Sequence, residues 1–266
     1  MTYYTHDIDP VAFYIGSSPV AWYWLAYLFG FSLVYISGLR FIKSQALNIS
    51  PKDFSDYMSY GWISLILGAR AGYILFYNLD YYLENPEQVY QIWNGGMSFH
   101  GGLIATAVSF WFIAKRKNQS LSLVADIVCL FVPITLAVGR LANFINGELA
   151  GRVSYVSWAV IFPRYGDGLP RHPSQLYEAF LEGLLLFAIL FYFRSRITKP
   201  YFLSSLFLVG YGFFRLVAEF FRSPDPQIGY LAFGLTLGQY FCLLMIVCGL
   251  TLLKLTNVSS DLKNKT

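Results

Sequence analysis

Long, almost uncharged runs of residues constrain this chain more than any other feature. Each run approaches the roughly 20 residues that a helix needs to cross the hydrocarbon core of a bilayer. The runs lie near 19–39, 58–77, 98–114, 121–138, 175–193, 201–221 and 234–253. Only 13% of the 266 residues are charged and 56% are hydrophobic, whereas a water-soluble domain carries about 25% charged residues. The sequence therefore predicts an all-α membrane protein with about seven transmembrane helices.

The chain shows no internal repeat and no long hydrophilic linker, so we expect a single membrane domain over residues 1–266. Two stretches between the predicted spans are long enough for structure outside the membrane. Residues 78–97 are acidic and aromatic and predict an external arm, which either guides access of lipid or peptide or only anchors the protein at the interface. Residues 139–174 are rich in arginine, glycine and proline and predict an external loop or a small external head.

Lysines and arginines predict the orientation, because loops that stay in the cytoplasm are enriched in both. The loops after the first, third and fifth spans and the C-terminal tail hold every lysine of the chain. These segments are therefore expected to lie in the cytoplasm. An odd number of spans then places the N-terminus on the outer side and the C-terminus in the cytoplasm.

The basic residues outside those segments are all arginines, at positions that oppose either the topology rule or burial in lipid. They are Arg70, Arg140, Arg152, Arg164, Arg171, Arg215 and Arg222. A planar guanidinium binds phosphate or carboxylate at two points, which a lysine cannot do. These arginines therefore indicate either binding of an anionic group or ion pairs that hold helices together. For Arg164 and Arg171 we favour an ion pair or simple hydration, and for Arg70 an ion pair with Glu178 or Glu182.

The sixth run carries a series of polar residues. Tyr211, Arg215, Glu219 and Arg222 recur at intervals of three or four residues, which places them on one face of a helix. Contact of that face with lipid would be prohibitively costly. If the run enters from the cytoplasm, Arg215 lies roughly 20 Å along it. We therefore expect these residues to face a polar interior in the outer half of the membrane.

Two other segments bring polar residues toward the same outer side. The fourth run leads into residues 139–148, where Arg140, Asn143 and Gly147 share a face if the helix continues. His100 begins the third run among glycines, which allow close approach of the backbone and leave the imidazole accessible. Both a catalytic histidine and a hydrogen-bonded structural histidine fit this position.

Four motifs occur in a fixed order along the chain. They are His-Gly-Gly-Leu at 100–103, Gly-Arg-Leu-Ala-Asn-Phe-Ile-Asn-Gly-Glu at 139–148, Arg-His-Pro-Ser-Gln-Leu-Tyr-Glu at 171–178, and Tyr-Gly-Phe-Phe-Arg at 211–215 with Glu-Phe-Phe-Arg at 219–222. The second motif is by far the most specific. In this order, and over nearly the whole chain, the sequence resembles the bacterial prolipoprotein diacylglyceryl transferases.

That resemblance implies seven transmembrane helices, a small periplasmic head and a location in the bacterial inner membrane, with the active site toward the outer side. It also implies transfer of the sn-1,2-diacylglyceryl group from phosphatidylglycerol to the lipobox cysteine of a prolipoprotein. The products would be a thioether and glycerol 1-phosphate, in the first step of lipoprotein maturation. The expected partners are these two substrates and the lipid bilayer, with no nucleic acid, cofactor or metal. Residues 163–170 form a short version of the head, which leaves open how it engages the prolipoprotein.

The reaction suggests roles for three residues. Arg140 and Arg215 would stabilise the charge that develops on the leaving phosphate. The thiol has an ordinary pKa of about 8.5 and needs help to lose its proton. His100 is the candidate base, and its alternative role is to position phosphatidylglycerol.

The resemblance also marks a set of substrate-binding positions. They are Tyr23, Asn143, Glu148, Gly151, Tyr211, Glu219 and Arg222. The two tyrosines are expected to orient substrate and the asparagine to bond a headgroup or phosphate oxygen. Glu148, Glu219 and Arg222 are expected to hold the other arginines in place, and Gly151 to permit close approach of the chain.

Two rival functions belong to other classes. An anion or lipid transporter would use the arginines as a permeation path, but transporters commonly show inverted repeats and a site near the midplane of the membrane. The chain has no visible repeat, and its polar residues are expected on the outer side. A non-catalytic scaffold that binds anionic lipid would explain the arginines, but not their combination with intervening acids and a glycine-flanked histidine.

Overall fold

A computed structural model of the chain describes residues 2–92, 95–223 and 231–263, with the backbone alone described at 99–100 and 257–263. These residues form two compact units. One comprises Met1–Gly38 with Ala125–Thr266, and the other comprises Leu39–Val124. The expectation of a single membrane domain stays a prediction.

Helices dominate both units. The α-helices of the described residues are α1 (Trp22–Ser44), α2 (Pro51–Tyr77), α3 (Leu79–Glu84), α4 (Phe99–Lys117), α5 (Leu121–Ile145), α6 (Ser174–Glu178), α7 (Leu186–Tyr192), α8 (Phe202–Glu219) and α9 (Leu237–Lys263). A π-helical stretch, Ala179–Leu185, joins α6 and α7 into one continuous helical segment. Short 3-10 turns lie at Pro86–Gln88, Pro163–Tyr165, Arg194–Thr198 and Ala232–Gly234.

Each of the seven predicted spans falls on one of the long helical segments. Five segments of the described chain are long and apolar enough to cross a membrane, namely Trp22–Ser44, Leu121–Ile145, Ser174–Tyr192, Phe202–Glu219 and Leu237–Thr256. The prediction of an all-α, multi-pass membrane protein is confirmed. Crossing of the membrane by the more polar helices α2 and α4 stays a prediction. Helix α2 begins well before the apolar run, because Ser50 accepts a hydrogen bond from the Asp53 amide and Pro51 occupies the first turn.

The unit that contains both ends of the chain also holds short strands that the sequence analysis does not predict. Strands β1 (Tyr4–Thr5), β4 (Val160–Ile161) and β5 (Pro170–Arg171) form a three-stranded sheet in the order β1-β4-β5, with β1 parallel and β5 antiparallel to β4. Strands β2 (Val11–Ile15) and β3 (Ser18–Ala21) form an antiparallel hairpin. Gly16 has a φ of 62° in its turn, a left-handed conformation that glycine adopts at little cost.

The small sheet has its own apolar core. Buried Phe162 packs with Ala150 and Val160, and Phe144 at the end of α5 joins them. The His6 ring stacks on Phe162 with 5.4 Å between ring centroids. The N-terminal segment is thereby fastened to the stretch between α5 and α6, where the sequence predicts the head.

Helices α2 and α4 pack against each other in the unit Leu39–Val124. A Cβ atom on Gly72 would lie 2.7 Å from the Cα atom of Gly101, so the two backbones are in direct contact there. At the opposite ends of these helices, Lys117 Nζ lies 2.5 Å from carboxylate oxygens of both Asp53 and Asp56. Small residues at one end and an ion triad at the other therefore fix the register of this antiparallel pair.

Candidate active site

Two buried glutamates lie at the centre of a charged cluster in the unit formed by Met1–Gly38 and Ala125–Thr266. Glu178 ends α6, and Glu182 lies in the π-helical stretch that follows. This stretch approaches α5 closely, since a Cβ atom on Gly183 would lie 2.4 Å from the Cβ atom of Ala137. The close approach brings both carboxylates toward Arg140, one turn farther along α5. Stretches of π-helix are rare and frequently occur at functional sites.

Arg140 of α5 and Arg215 of α8 converge on Glu178. Arg140 Nε lies 2.9 Å from Glu178 Oε2, and Arg215 Nη1 donates to the same oxygen over 2.5 Å. Both guanidinium groups also face Glu182, at 3.6 Å and 3.5 Å. One carboxylate therefore holds together two cations from different helices.

Two further residues extend the cluster. Arg222 Nη1 lies 3.6 Å from Glu178 Oε2, and Arg215 Nη2 lies 3.1 Å from Glu219 Oε2. Thr236 donates from Oγ1 to the other oxygen of Glu219 over 3.0 Å. Three arginines and three glutamates thus interlock, and their formal charges cancel. This balance is what allows so many charges to be buried together.

All four residues of the predicted polar face occur in this cluster or beside it, and three of them lie in α8. Tyr211 is buried one turn before Arg215, and Glu219 is the last residue of the helix. Arg222 follows the end of α8 and reaches Glu178 from outside the helix. The polar face predicted for this helix is therefore present, but its last member, Arg222, lies in the chain that follows α8.

The turn after α5 differs from the expectation. The helix ends at Ile145, and Gly147 follows with a φ of 63°, so the helix does not continue far enough for Gly147 to share a face with Arg140. The turn folds Glu148 back, and Asn143 Nδ2 donates to its Oε1 over 2.9 Å. Glu148 also lies 3.8 Å from Arg164. The arginine that Glu148 faces among the described contacts is therefore Arg164, and the role of Glu148 in the site stays a prediction.

Gly151 lies where three segments of the chain meet. Its amide donates to the carbonyl oxygen of His172 over 2.8 Å, and a Cβ atom on it would lie 2.4 Å from the carbonyl oxygen of Phe221. The neighbouring Arg152 donates from Nε to the carbonyl oxygen of Arg222 over 2.9 Å. The absence of a side chain at Gly151 thus lets the stretch after α5 fix the backbone that carries Arg222.

Tyr23 lies within electrostatic range of Arg140 and Glu148, but it has no described hydrogen bond to either. The Tyr23 hydroxyl lies 2.8 Å from that of Tyr27, one turn farther along α1. His100 is the second residue of α4, and its side chain lies outside the described residues. Its proximity to the arginines of α5 and α8 stays a prediction.

The predicted ion pair of Arg70 with Glu178 or Glu182 is wrong. Those glutamates face the arginines of α5 and α8, whereas all described hydrogen bonds of the Arg70 guanidinium go to backbone carbonyl oxygens of residues 88–96. Several carbonyl dipoles replace the carboxylate that the prediction assumed. The signal for the true role of the glutamates was present in the sequence, since two acids four residues apart in an apolar run indicate a buried polar face.

Other predictions about single polar residues are confirmed. Arg171 forms an ion pair with Asp167 and lies over the Tyr165 ring, and the side chain of Arg164 is 64% exposed. Hydrogen bonds from the Leu169 amide and from Arg171 lower the pKa of Asp167. Both arginines lie in the stretch between α5 and α6, where the sequence predicts the head.

Asp126, in the first half of α5, is a hydrogen-bonded packing residue. The carboxylate is fully buried and accepts hydrogen bonds from the amide and the hydroxyl of Ser204, at 2.7 Å and 2.5 Å. Ser204 lies in the first turn of α8. The helix that carries Arg215 is therefore bonded at its beginning to the helix that carries Arg140.

Known proteins resemble this chain over nearly its whole length. The sequence model of the family described as prolipoprotein diacylglyceryl transferase matches residues 10–255. The phosphatidylglycerol–prolipoprotein diacylglyceryl transferase of Coxiella burnetii is 48% identical over 250 residues, which cover 94% of this chain and 95% of that protein. The proteins of the same name from Bordetella parapertussis and Idiomarina loihiensis are 48% and 47% identical, over 91% and 92% of this chain and 93% and 92% of their own.

Similarity of this extent covers both compact units and every helix of the charged cluster. The family model includes the motifs around Arg140 and Arg215 as well as the stretch that carries Glu178. The chain is a membrane-bound transferase and belongs to the prolipoprotein diacylglyceryl transferase family.

Proposed function

We propose that this chain moves the sn-1,2-diacylglyceryl group of phosphatidylglycerol onto the lipobox cysteine of a prolipoprotein, at the arginine and glutamate cluster. Relatives that are 47% to 48% identical have names that state both substrates. The observation that carries the proposal is the meeting of Arg140 and Arg215 at one buried oxygen of Glu178. Two adjacent guanidinium groups match the anionic phosphodiester of phosphatidylglycerol.

The cluster presents its cations outward and keeps its anions inside. The side chains of Glu178 and Glu182 are 1% and 0% exposed, whereas those of Arg140 and Arg215 are 19% and 13% exposed. The glutamates therefore hold the guanidinium groups from the more deeply buried side, and an approaching anion is proposed to contact the arginines before the glutamates. Cations fixed before the reaction stabilise developing charge without reorganisation.

In the proposed reaction the cysteine sulfur forms a bond to the glyceryl carbon next to the phosphate, and the bond from that carbon to the phosphate oxygen breaks. The electron pair of the broken bond leaves with glycerol 1-phosphate, and the product is a thioether. Arg140 and Arg215 stabilise the negative charge that grows on the leaving phosphate. The thiol proton is lost during the step, because the thiolate is the nucleophile.

His100 is the candidate acceptor of that proton, and its alternative role is to position phosphatidylglycerol. A pH–rate profile separates the two roles. If His100 is the base, His100→Gln removes the limb of the profile that reports its deprotonation. If it positions the lipid, the variant keeps the shape of the wild-type profile at reduced height.

The remaining site positions are proposed to support these residues. Tyr23 and Tyr211 orient substrate through their hydroxyl groups, and Asn143 bonds a headgroup or phosphate oxygen. Glu148 orients the Asn143 amide, to which it is hydrogen bonded at 2.9 Å. Gly151 keeps the chain close to the backbone of Arg222, as its contacts with the segment after α8 support. Glu219 and Arg222 hold the cluster together at the end of α8.

We further propose that the chain is one domain of the bacterial inner membrane, with a periplasmic N-terminus and a cytoplasmic C-terminus. Residues 78–97 then form the external arm and residues 139–174 the periplasmic head. The distribution of lysines supports this orientation. Arg140 lies in the last two turns of α5, next to the strands of the proposed head, which favours an active site on the outer side.

The experiment is mass spectrometry of a lipobox peptide incubated with the purified protein and phosphatidylglycerol in detergent. A peptide with serine in place of the lipobox cysteine is the control. We expect a diacylglyceryl mass gain on the cysteine peptide alone, together with released glycerol phosphate. If lipid binds but neither peptide gains mass, while a known transferase is active in the same detergent, the proposal is wrong and lipid transport or lipid binding takes its place.

A further inference from the structure

Arg70 is a buried cation in α2 that the proposed reaction does not use. Its guanidinium has five N–H groups, and each of the three nitrogens donates to carbonyl oxygens of one short segment. The acceptors are Val89 (2.8 Å from Nε), Gly95 and Gly96 (2.6 Å and 3.1 Å from Nη1), and Gln88 and Gln91 (2.6 Å and 3.3 Å from Nη2). The Tyr82 ring covers the guanidinium, with its centroid 5.0 Å from Cζ. The donors of Arg70 are therefore engaged within its own unit, unlike the partly exposed arginines of the charged cluster.

The segment that supplies these carbonyls runs back along α2. Arg70 lies about two helical turns before the end of α2 at Tyr77, or roughly 10 Å along the helix axis. The chain leaves α2 at that end, forms α3 and then returns to the level of Arg70. At Ser98 the amide donates to the carbonyl oxygen of Ala69 over 2.8 Å, just before α4 begins. Helix α4 therefore begins beside a point about two turns before the end of α2, and not beside that end.

Two glycines lie at contacts between this part of the chain and α2. Gly96 has a φ of 75°, and a Cβ atom on it would lie 2.7 Å from the Tyr73 ring and 2.8 Å from Arg70 Nη1. Gly101 in the first turn of α4 touches the backbone of Gly72. The returning segment is thereby pressed against α2 on both sides of Ser98.

Carbonyl groups of non-helical backbone need hydrogen-bond donors from outside their own segment wherever water does not supply them. The described residues 88–92 and 95–96 lie outside the α-helices, and Arg70 donates to five of their carbonyl groups at once. No other side chain type can do so, because a lysine has three donors on a single nitrogen. The positive charge is stabilised by the converging carbonyl dipoles.

We propose that Arg70 is a positioning residue, which holds residues 88–96 folded back against α2 and thereby sets where α4 begins. His100 is the second residue of α4, so the position of its backbone within this unit depends on the anchorage. The consequence for catalysis depends on the proposed function, whereas the folding back of the segment does not. The two parts are therefore tested by different measurements on the same variants.

The first measurement is the rate of labelling of a single cysteine by a membrane-impermeant maleimide. In a background with Cys129, Cys242 and Cys248 replaced by alanine, Ser98→Cys reports on the returning segment, since Ser98 is only 4% exposed. Glu84→Cys, at the exposed end of α3, is the matched reporter outside the anchorage. We expect Ser98→Cys to react at least about tenfold more slowly than Glu84→Cys. Adding Arg70→Lys should raise the rate at Ser98→Cys about tenfold or more and leave that at Glu84→Cys unchanged.

Gly96→Ala tests the same anchorage without removing the charge. The added methyl group would collide with Arg70, whereas Gly95→Ala meets no atom within 4 Å and has a comparable φ of 85°. We expect Gly96→Ala to speed labelling at Ser98→Cys much more than Gly95→Ala does, and this comparison also serves if Arg70→Lys fails to fold. Fast labelling at Ser98→Cys in the otherwise unchanged protein, or no response to Gly96→Ala, would overturn the proposal.

The second measurement compares kcat and KM for phosphatidylglycerol in Arg70→Lys, Gly96→Ala and His100→Gln. If the anchorage sets the position of His100, the first two variants impair the same kinetic parameter as His100→Gln. The claim about His100 would be overturned if these variants changed the other of the two parameters, kcat or KM. It would also be overturned by wild-type kinetics in a variant whose returning segment has become accessible to the maleimide. If the unchanged protein transfers nothing, the proposed function fails while the labelling result still decides the role of Arg70.

Discussion

Arg215 of α8 donates a hydrogen bond from Nη1 to Oε2 of Glu178, over 2.5 Å. The same oxygen lies 2.9 Å from Arg140 of α5. Three helical segments therefore depend on one buried carboxylate for the arrangement of their charges. A cluster of this kind is fixed before substrate arrives, which is the condition for efficient stabilisation of charge in a transition state.

Glu178→Gln is predicted to disrupt the cluster while preserving the volume of the side chain. The change leaves two arginines without their shared counter-ion, and loss of one partner from a buried ion pair costs about 3–5 kcal/mol. Thermal unfolding in detergent should show this loss, and the rate of diacylglyceryl transfer should fall with it. Glu182→Gln is the matched comparison. The carboxylate oxygens of Glu182 lie 3.5 Å or more from the arginines, so this substitution should cost less stability. Equal stability of Glu178→Gln and the unchanged protein would refute the shared-carboxylate account.

Gly151→Ala is predicted to destabilise the protein through a steric clash. Its Cβ atom would lie 2.4 Å from the carbonyl oxygen of Phe221, a backbone atom that cannot move by changing a rotamer. Overpacking of this kind typically costs about 1–3 kcal/mol. Gly139→Ala is the control, because no atom lies within 4 Å of a Cβ at that helical position. Similar unfolding temperatures for the two variants would contradict the predicted clash.

How far the sequence predicts this fold depends on whether the determining contacts are local. The seven apolar runs predict the long helical segments, because the period and polarity of a helix are properties of adjacent residues. The small sheet is not predicted, since β1 and β4 have two residues each and Tyr4 pairs with Val160. Only the fold brings such distant and short segments together.

The same distinction applies to the candidate site. The contact between Arg215 and Glu219 follows from their spacing on one helix, and its distance is 3.1 Å. The convergence on Glu178 requires knowledge of which helices are neighbours, which no spacing contains. The prediction for Arg70 failed for a further reason, since it assumed that a buried cation needs a carboxylate. Backbone carbonyls of an irregular segment fulfil that need.

Asp126 is predicted to stabilise the start of α8 from a neighbouring helix. The residue before α8, Tyr201, has a left-handed φ of 59° and provides no side-chain cap, whereas Asp126 accepts from the Ser204 amide at 2.7 Å. Removing a capping side chain costs about 0.5–2 kcal/mol, so Asp126→Ala should lower the unfolding temperature measurably. Asp126→Asn keeps one carbonyl acceptor and should lose less. An Asp126→Ala protein as stable as the unchanged one would show that α8 does not need this acceptor.

His172 is predicted to make stability depend on pH. Burial lowers its pKa from the usual 6.5, and its Nδ1 lies 3.1 Å from the Tyr177 hydroxyl, which accepts from the Trp158 indole. The unfolded chain binds the proton more readily, so stability is complete above pH 6.5 and falls as the pH drops from there toward the folded pKa. Unfolding temperatures measured between about pH 7.5 and pH 5 should decline less in His172→Gln. An identical decline in both proteins would assign the pH dependence to other groups.

The most direct test of the account is the rate of diacylglyceryl transfer from phosphatidylglycerol to a lipobox peptide, measured by mass spectrometry for Arg140→Gln and Arg215→Gln. Arg116→Gln, at an exposed position in the last turn of α4, is the control for loss of one positive charge. We predict that each cluster variant remains folded and loses at least about 100-fold in rate, the scale expected for removal of a group that stabilises transition-state charge. The transfer rate of Arg116→Gln should stay within about twofold of the rate of the unchanged protein. Folded Arg140→Gln and Arg215→Gln proteins that transfer at the unchanged rate would contradict the central claim that these two arginines carry the reaction.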